Sequence, residues 1–408
     1  MTQTWKQRCE KNVLNIFSIL NPVIDMKKKL TIAFVSPGDP NDKRSWSGTA
    51  FSLMQALGKH VGETEWICLE PPSMMKHRKI LSRLNFKISG KRGYPDRTLK
   101  VSQNYADQLS EKLAGNNYDL IFASAASVEM ACLETSIPIV YVSDATFALV
   151  KDNYPIFSNL SGDTQKVEEF FEQSMIMKSS LLAYPSHWAA QSALQDYEAE
   201  PAKVRVIPFG ANLNSVPDVK DIAHRKIGVQ VNLLFLAKEW DRKGGPIAVE
   251  TLKEVLAKDI KAKLTICGVI PPEKCDHPQI EVIPYLDKNS KAGRNRLQKI
   301  LDESHFLLVP SRAECYGMVF CEANAFGIPV LAANVGGIPS IVRNGENGYL
   351  LPLETRGRGY ANTLADIVND KNRYASLVQS SKARYDNALN WDNWGKSMRL
   401  AINEVIGI

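Results

Sequence analysis

The sequence predicts an α/β protein of two Rossmann-like domains whose parallel sheets face a central cleft. Three observations carry this expectation. The chain has 408 residues, more than one hydrophobic core usually organises. Ten short runs rich in β-branched residues alternate with longer amphipathic stretches, as parallel strands covered by helices do. Around residues 207–221, "IPFGANLNSVPDVKD" is rich in Pro, Asn and Gly, and divides the runs into two sets of five.

In chain order, residues 1–29 read as an N-terminal extension ahead of the first strand. Within it Val13, Ile16, Leu20 and Val23 fit one helical stripe, and no small-residue cleavage site follows the charged start. The first set of strands is then "LTIAFVS" (30–36), "YDLIFAS" (118–124), "IPIVYVSD" (137–144), "SLLAYPS" (180–186) and "KVRVIPF" (203–209). The second is "VNLLFLAK" (231–238), "AKLTICG" (262–268), "IEVIPYL" (280–286), "HFLLVPS" (305–311) and "IPVLAAN" (328–334). The expected domains are 30–212 and 213–387. Ligands of open parallel sheets sit outside the strand C-termini, so the facing edges should form the site.

Composition narrows the function classes. At 44% hydrophobic and 23% charged, the chain is ordinary globular protein rather than disordered or fibrous. No apolar run approaches the roughly 20 residues of a membrane span. Seven scattered cysteines without a CxxC pair suit a reducing, cytoplasmic compartment and argue against disulfides and zinc. No His/Cys/Asp/Glu ligand set is evident, so neither a metal nor another cofactor is expected.

Net charge is +6, but it is unevenly placed. Lys76, Arg78, Lys79, Arg83, Lys87, Lys91, Arg92, Arg97 and Lys100 face one acid, Asp96, within 76–100. As a helix, 73–88 sets Lys76, Lys79, Arg83 and Lys87 beside Ile80, Leu81, Leu84 and Ile88. That pattern suits peripheral contact with an anionic membrane; a solvated domain helix is the plainer alternative. No aromatics interleave the charges, which argues against nucleic acid.

The most informative stretch is "SRAECYGMVFCEANAFGIP" (311–329). It runs from a strand into a loop holding Glu314, then into a helix holding Glu322. Between them "CYGM" supplies backbone N–H groups at a helix start, where Gly317 lets the chain approach a ligand. Such a start favours a phosphate. Carboxylates aimed at phosphate would repel it, so the two glutamates make better sense as acceptors for neutral hydroxyls. A surface loop with two solvated glutamates is the alternative.

Other strand ends add candidates. "KEWDRKGG" (238–245) places cations where a departing phosphate would need them, Lys243 being read as an exposed loop cation. Asp144 closes the strand 137–144, either as a cleft carboxylate or as the N-cap of the next helix. Gly48 stands at a helix start after the first strand. His187, followed by Trp188, reads as structural, and Cys315 lacks the neighbouring His of a thiol nucleophile.

The spacing Glu314-x7-Glu322 and its surroundings, "PSRAECYGMVFCEANAFGIPVLAANVGGIPSIVRNGENGYLLP" (310–352), resemble the family 4 retaining glycosyltransferases of group 1, which have the GT-B fold. "YPSHWAAQSALQDY" (184–197), "KVRVIPFGANL" (203–213) and "LLFLAKEWDRKGG" (233–245) extend the likeness. The resemblance implies a retaining transfer of a hexose-type sugar from a nucleoside diphosphate, UDP favoured over GDP, to a hydroxyl on a sugar, lipid-linked or protein acceptor. It assigns Glu314, Lys243 and Asp144 to catalysis. It gives Gly48, Lys238, Arg242, Cys315, Tyr316, Gly317, Met318, Val319 and Glu322 to the donor, Glu322 holding its ribose. Where the family usually has Gly-Arg this chain has Ala237-Lys238, and Ser47-Gly48 replaces two glycines. The resemblance also makes 388–408 a terminal helix that returns to the first domain. A non-catalytic sugar-nucleotide-binding subunit, or an epimerase of the same fold, is the alternative function.

Overall fold

The computed structural model describes residues 29–72, 82, 86–222, 225–273 and 275–407. The extension 1–28 and the residues Lys76, Arg78, Lys79 and Arg83 of the basic helix lie outside them. So do Ile80, Leu81 and Leu84 of its apolar face.

Two parallel sheets organise the chain, as expected, each with six strands rather than five and with helices packed around them. The first holds β1 (Leu30–Val35), β2 (Gly62–Trp66), β3 (Leu120–Ser124), β4 (Ile139–Val142), β5 (Leu181–Tyr184) and β6 (Val204–Val206) in the order β2-β1-β3-β4-β5-β6. The second holds β7 (Val231–Leu236), β8 (Ala262–Cys267), β9 (Ile280–Ile283), β10 (Phe306–Val309), β11 (Val330–Ala333) and β12 (Gly348–Leu351) in the order β12-β11-β10-β7-β8-β9. Read from β9, the second order is the doubly wound 3-2-1-4-5-6, which reverses between β7 and β10. The crevice at that reversal is where such a sheet binds its ligand.

The internal strands β3, β4, β5, β10 and β11 are buried throughout, so they read from sequence as continuous apolar runs. The expected strands shorten at their C-termini. Pro208, Pro284 and Pro310 follow β6, β9 and β10, and proline supplies no ladder N–H. The chain beyond each then turns toward the cleft. β2 and β12 were not expected: each forms a sheet edge, paired on one side only.

Six helices matter for the site: α1 (Thr49–His60), α2 (Gly245–Leu256), α3 (Lys291–Glu303), α4 (Met318–Ala325), α5 (Lys371–Asn387) and α6 (Trp391–Ile406). α6 returns to the first sheet and packs on α1. Trp394 meets Phe122 edge-on at 6.1 Å, and Arg399 donates to the Val61 carbonyl at 2.6 Å. Phe209, in the join between sheets, stacks on Trp391 and meets Trp46 and Tyr316 edge-on. These four rings fix the β1–α1 loop, the join, the α4 loop and α6 against one another.

Among the described residues of the basic segment, the cations do not all share one solvated surface. Lys87, Lys91 and Lys100 are exposed, whereas the half-buried Arg97 holds the buried Glu168 carboxylate in a bidentate pair. Arg92 lies 4.8 Å over the Phe86 ring. A charge count cannot distinguish an ion-paired arginine from a solvated lysine. No helix among the described residues is long and apolar enough to cross a membrane.

Candidate active site

A cavity of about 280 Å³ opens at the C-terminal edges of β7 and β10, under the β1–α1 loop of the first sheet. Its floor is the turn after β10. Gly317 adopts φ +100°, and a Cβ there would meet the Phe320 ring at 2.4 Å, so only glycine passes the chain into α4 unstrained. Behind the same turn, Gly336 and Gly337 pack on the carbonyls of Glu314 and Cys315, where Cβ atoms would come to 1.9 and 2.1 Å. The "VGG" of the sequence thus presses Glu314 and Cys315 forward into the cavity.

No side chain caps α4, so its first N–H groups, at Met318 and Val319, are offered to the cavity that both residues line. Tyr316 donates its hydroxyl to the Phe209 carbonyl at 3.2 Å, which anchors this turn to the join. Glu322 is only 1% exposed; Lys288 donates to its Oε1 at 2.5 Å, while Oε2 has no partner among the described residues. A buried carboxylate oxygen left without a donor is costly, and a ligand hydroxyl would supply one.

The cationic wall follows β7. Lys243 donates to Glu314, so the two expected catalytic residues form an ion pair across the cavity. Their side chains are 12% and 8% exposed, which corrects the reading of Lys243 as an exposed loop cation. Arg242 pairs with Glu239, donates to the Ala313 carbonyl at 2.8 Å and lies 4.7 Å over the Tyr154 ring. Lys238 lies 5.4 Å over the Tyr285 ring. Burial, and then the neighbouring Lys288 charge, hold its ammonium below the ordinary lysine range. An anion in the cavity would relieve both.

The first domain contributes Asp144, Trp46 and Tyr154. Trp46 Nε1 donates to Asp144 Oδ2 at 3.1 Å. Burial pushes the Asp144 carboxyl up to about 6 against that hydrogen bond, with a smaller push from Glu314. Trp46 and Ser47 have φ of 42° and 57°, left-handed conformations that cost non-glycine residues about 1–2 kcal/mol each. Asn212 offsets this by donating to the Ser47 carbonyl at 2.9 Å. Tyr154 reaches across the cleft to accept from the Cys315 thiol at 3.0 Å. Burial pushes that thiol well up, which keeps it protonated and matches its exclusion as a nucleophile.

Eleven of the twelve expected site residues therefore line one cavity; Gly48 lines an adjoining one instead. His187 lies outside both, its backbone N–H donating to Ser340 at 3.2 Å. Sequence reasoning missed Trp46, Tyr154 and Lys288. Lys288 follows the predicted strand 280–286 at the same sheet edge, so the strand-end rule was its available signal. Trp46 and Tyr154 sit in loops without periodicity and had none. Among the described residues no group of three or more His, Cys, Asp or Glu is placed to hold a metal ion.

Residues 230–370, the segment that supplies β7 to α4, match the family described as glycosyl transferases group 1. A D-inositol 3-phosphate glycosyltransferase of Rhodococcus jostii is 27% identical over 273 residues, 63% of this chain and 59% of that protein. A putative colanic acid biosynthesis glycosyltransferase of Salmonella typhimurium is 26% identical over 220 residues, 51% of each. The chain spans about three fifths of the length of the first curated relatives it matches. Sucrose-phosphate synthase from Thermosynechococcus elongatus superimposes with a TM-score of 0.66 at 18% identity, covering 93% of this chain and all of that one. Anabaena HepE in complex with UDP-glucose gives 0.59 at 15%, over 92% of this chain and 99% of that one.

Proposed function

We propose that this chain, a GT-B protein of the glycosyl transferases group 1, moves a hexose-type sugar from a nucleoside diphosphate to a hydroxyl acceptor with retention at the anomeric carbon. One observation supports it above the others. A helix start, three cations and a buried carboxylate with an unpartnered oxygen converge at the β7/β10 reversal. That set fits a sugar nucleotide group by group. The α4 N–H groups, Lys238 and Arg242 take the diphosphate, and Glu322 Oε2 takes a ribose hydroxyl. Glu314 accepts from hydroxyls of the sugar.

In this reading the acceptor oxygen attacks the anomeric carbon from the face that the diphosphate leaves. The bond from that carbon to the phosphate oxygen breaks as the new glycosidic bond forms, and the departing phosphate takes the acceptor proton. Lys243 stabilises the charge growing on the phosphate. Asp144, held by Trp46, orients the acceptor or a sugar hydroxyl at the opposite wall. UDP is the favoured nucleotide, as in the HepE complex with UDP-glucose. The exposed Lys87, Lys91 and Lys100, with Ile88 86% exposed, support peripheral contact with an anionic surface that presents the acceptor.

The test is a panel of UDP-, GDP- and ADP-glucose, followed for nucleotide binding, hydrolysis and transfer to added sugars. Binding with slow hydrolysis and faster transfer is expected. A chain that binds none of the three refutes the reading, and one that binds without turnover is a sugar-nucleotide-binding subunit instead.

A further inference from the structure

Beside the donor cavity, beyond Ser47 and Leu297, lies a second cavity of about 420 Å³. The β1–α1 loop and the join wall one side, and α3 with its preceding loop walls the other. Among the described residues four cations line it, Lys43, Lys288, Lys291 and Arg294, and no carboxylate does. Only Lys288 is ion-paired among the described residues, through Glu322. Arg294 gives one guanidinium nitrogen to the carbonyls of Lys288 and Asn289, at 3.0 and 2.7 Å. Among the described residues, Lys43 donates to the Asn214 amide oxygen at 3.3 Å and lies over the face of Phe51. Burial, and then the Arg294 charge, hold the Lys43 ammonium below its ordinary range.

A concave surface that gathers unpaired cations is unfavourable until an anion fills it. The remaining wall is not apolar: Asn214, Ser215, Asn295 and Gln298 present amides and a hydroxyl. We propose that this cavity is a second anion site, for a phosphate-bearing polyhydroxy small molecule other than the donor nucleotide. Lysine and arginine take the phosphate, and the amides take the hydroxyls.

The site also joins the two domains. Lys43 belongs to the first, and Lys291 and Arg294 to the second. Their loops already touch: the Lys43 backbone N–H donates to Asn289 Oδ1 at 3.2 Å, and Asn289 Nδ2 donates to Asp42 Oδ1 at 3.0 Å. An anion held from both sides keeps the cleft shut over the donor cavity, so each ligand tightens the other by the same factor. This coupling rests on the donor reading above; the anion site itself does not.

The experiment is calorimetric titration of UDP-saturated protein with glucose 6-phosphate, inorganic pyrophosphate or glucose. Binding of both phosphates and not of glucose is expected. Lys291→Glu, and independently the near-isosteric Asn295→Asp, should weaken that binding at least about tenfold while leaving the affinity for UDP alone unchanged. Lys258→Glu, an exposed reversal outside the cavity, should leave it intact. Mass analysis after incubation with UDP-glucose then separates a consumed acceptor from an effector that only binds. Absence of phosphate binding overturns the proposal, as do unchanged affinities in both cavity variants or an equal loss in Lys258→Glu. If UDP itself fails to bind, the donor reading falls. Phosphate binding that is sensitive to Lys291→Glu and insensitive to Glu322→Gln then still supports this site.

Discussion

Replacing Asp144 with asparagine should make the protein more stable and less active, and the stability gain should depend on pH. Raising a carboxyl from 3.8 to about 6 means that folding disfavours its ionised form by about 3 kcal/mol. Asp144 opens partly to the cavity, and solvent screening there reduces the expected gain to about 1–2 kcal/mol. The sign follows from the two titrations. Below about 3.8 both states are protonated and the carboxyl carries no penalty. As pH rises toward about 6 the unfolded chain ionises first, so wild-type stability falls through this window and stays lower above it. Asp144→Asn removes the titration and keeps an amide oxygen for Trp46, so its advantage should grow across the window and then level off. Urea unfolding of both proteins at pH values below, within and above the window measures this difference. Turnover should fall by about 10²–10⁴-fold if the carboxylate takes part in proton or hydroxyl positioning. A variant destabilised at neutral pH, or a difference independent of pH, would refute the claim that this carboxylate is held ionised at a cost.

Three further outcomes are expected. Lys243→Ala should lower turnover by about 10²-fold or more, and should also destabilise by up to about 3–5 kcal/mol because Glu314 is left buried without its partner; adding Glu314→Gln should restore stability but not turnover, and steady-state assays with urea melts check both. Glu322→Gln should weaken UDP binding, whereas Glu314→Gln should leave UDP affinity near wild type and lower sugar transfer; equal losses of UDP affinity by titration would show the ribose and sugar assignments to be wrong. Arg97→Met should destabilise the first domain by about 3–5 kcal/mol, since it strands buried Glu168 beside Glu129 and Glu172, whose carboxyls burial already raises to about 7 and about 8; hydrogen exchange in β3–β5 reads the effect.

What the sequence discloses depends on whether a feature is local. β10 and the turn behind it are one continuous signal, an apolar run, then Glu314, then Gly317, then α4, so the donor wall was legible with its residues in order. β2 was not, because "GETEW" buries Gly62 and leaves Glu63 and Glu65 outside the core, the pattern of an edge rather than a buried strand. The acceptor side of the cavity depends on contacts that no local pattern encodes. Trp46 and Asp144 are 98 residues apart, and Tyr154 meets Cys315 across 161. Charge shows the same limit, since Arg97 and Lys91 look alike in a basic run, yet Arg97 ends half-buried on the Glu168 carboxylate and Lys91 in solvent. The second cavity is non-local in the same way. Its cations come from 43 and from 288–294, and each taken alone is an ordinary solvated turn. Only when the join at Asn212 brings α1 and α3 face to face do they share one space. Their mutual repulsion is then a property of the assembled cleft, and it is relieved by whatever anion the cleft admits.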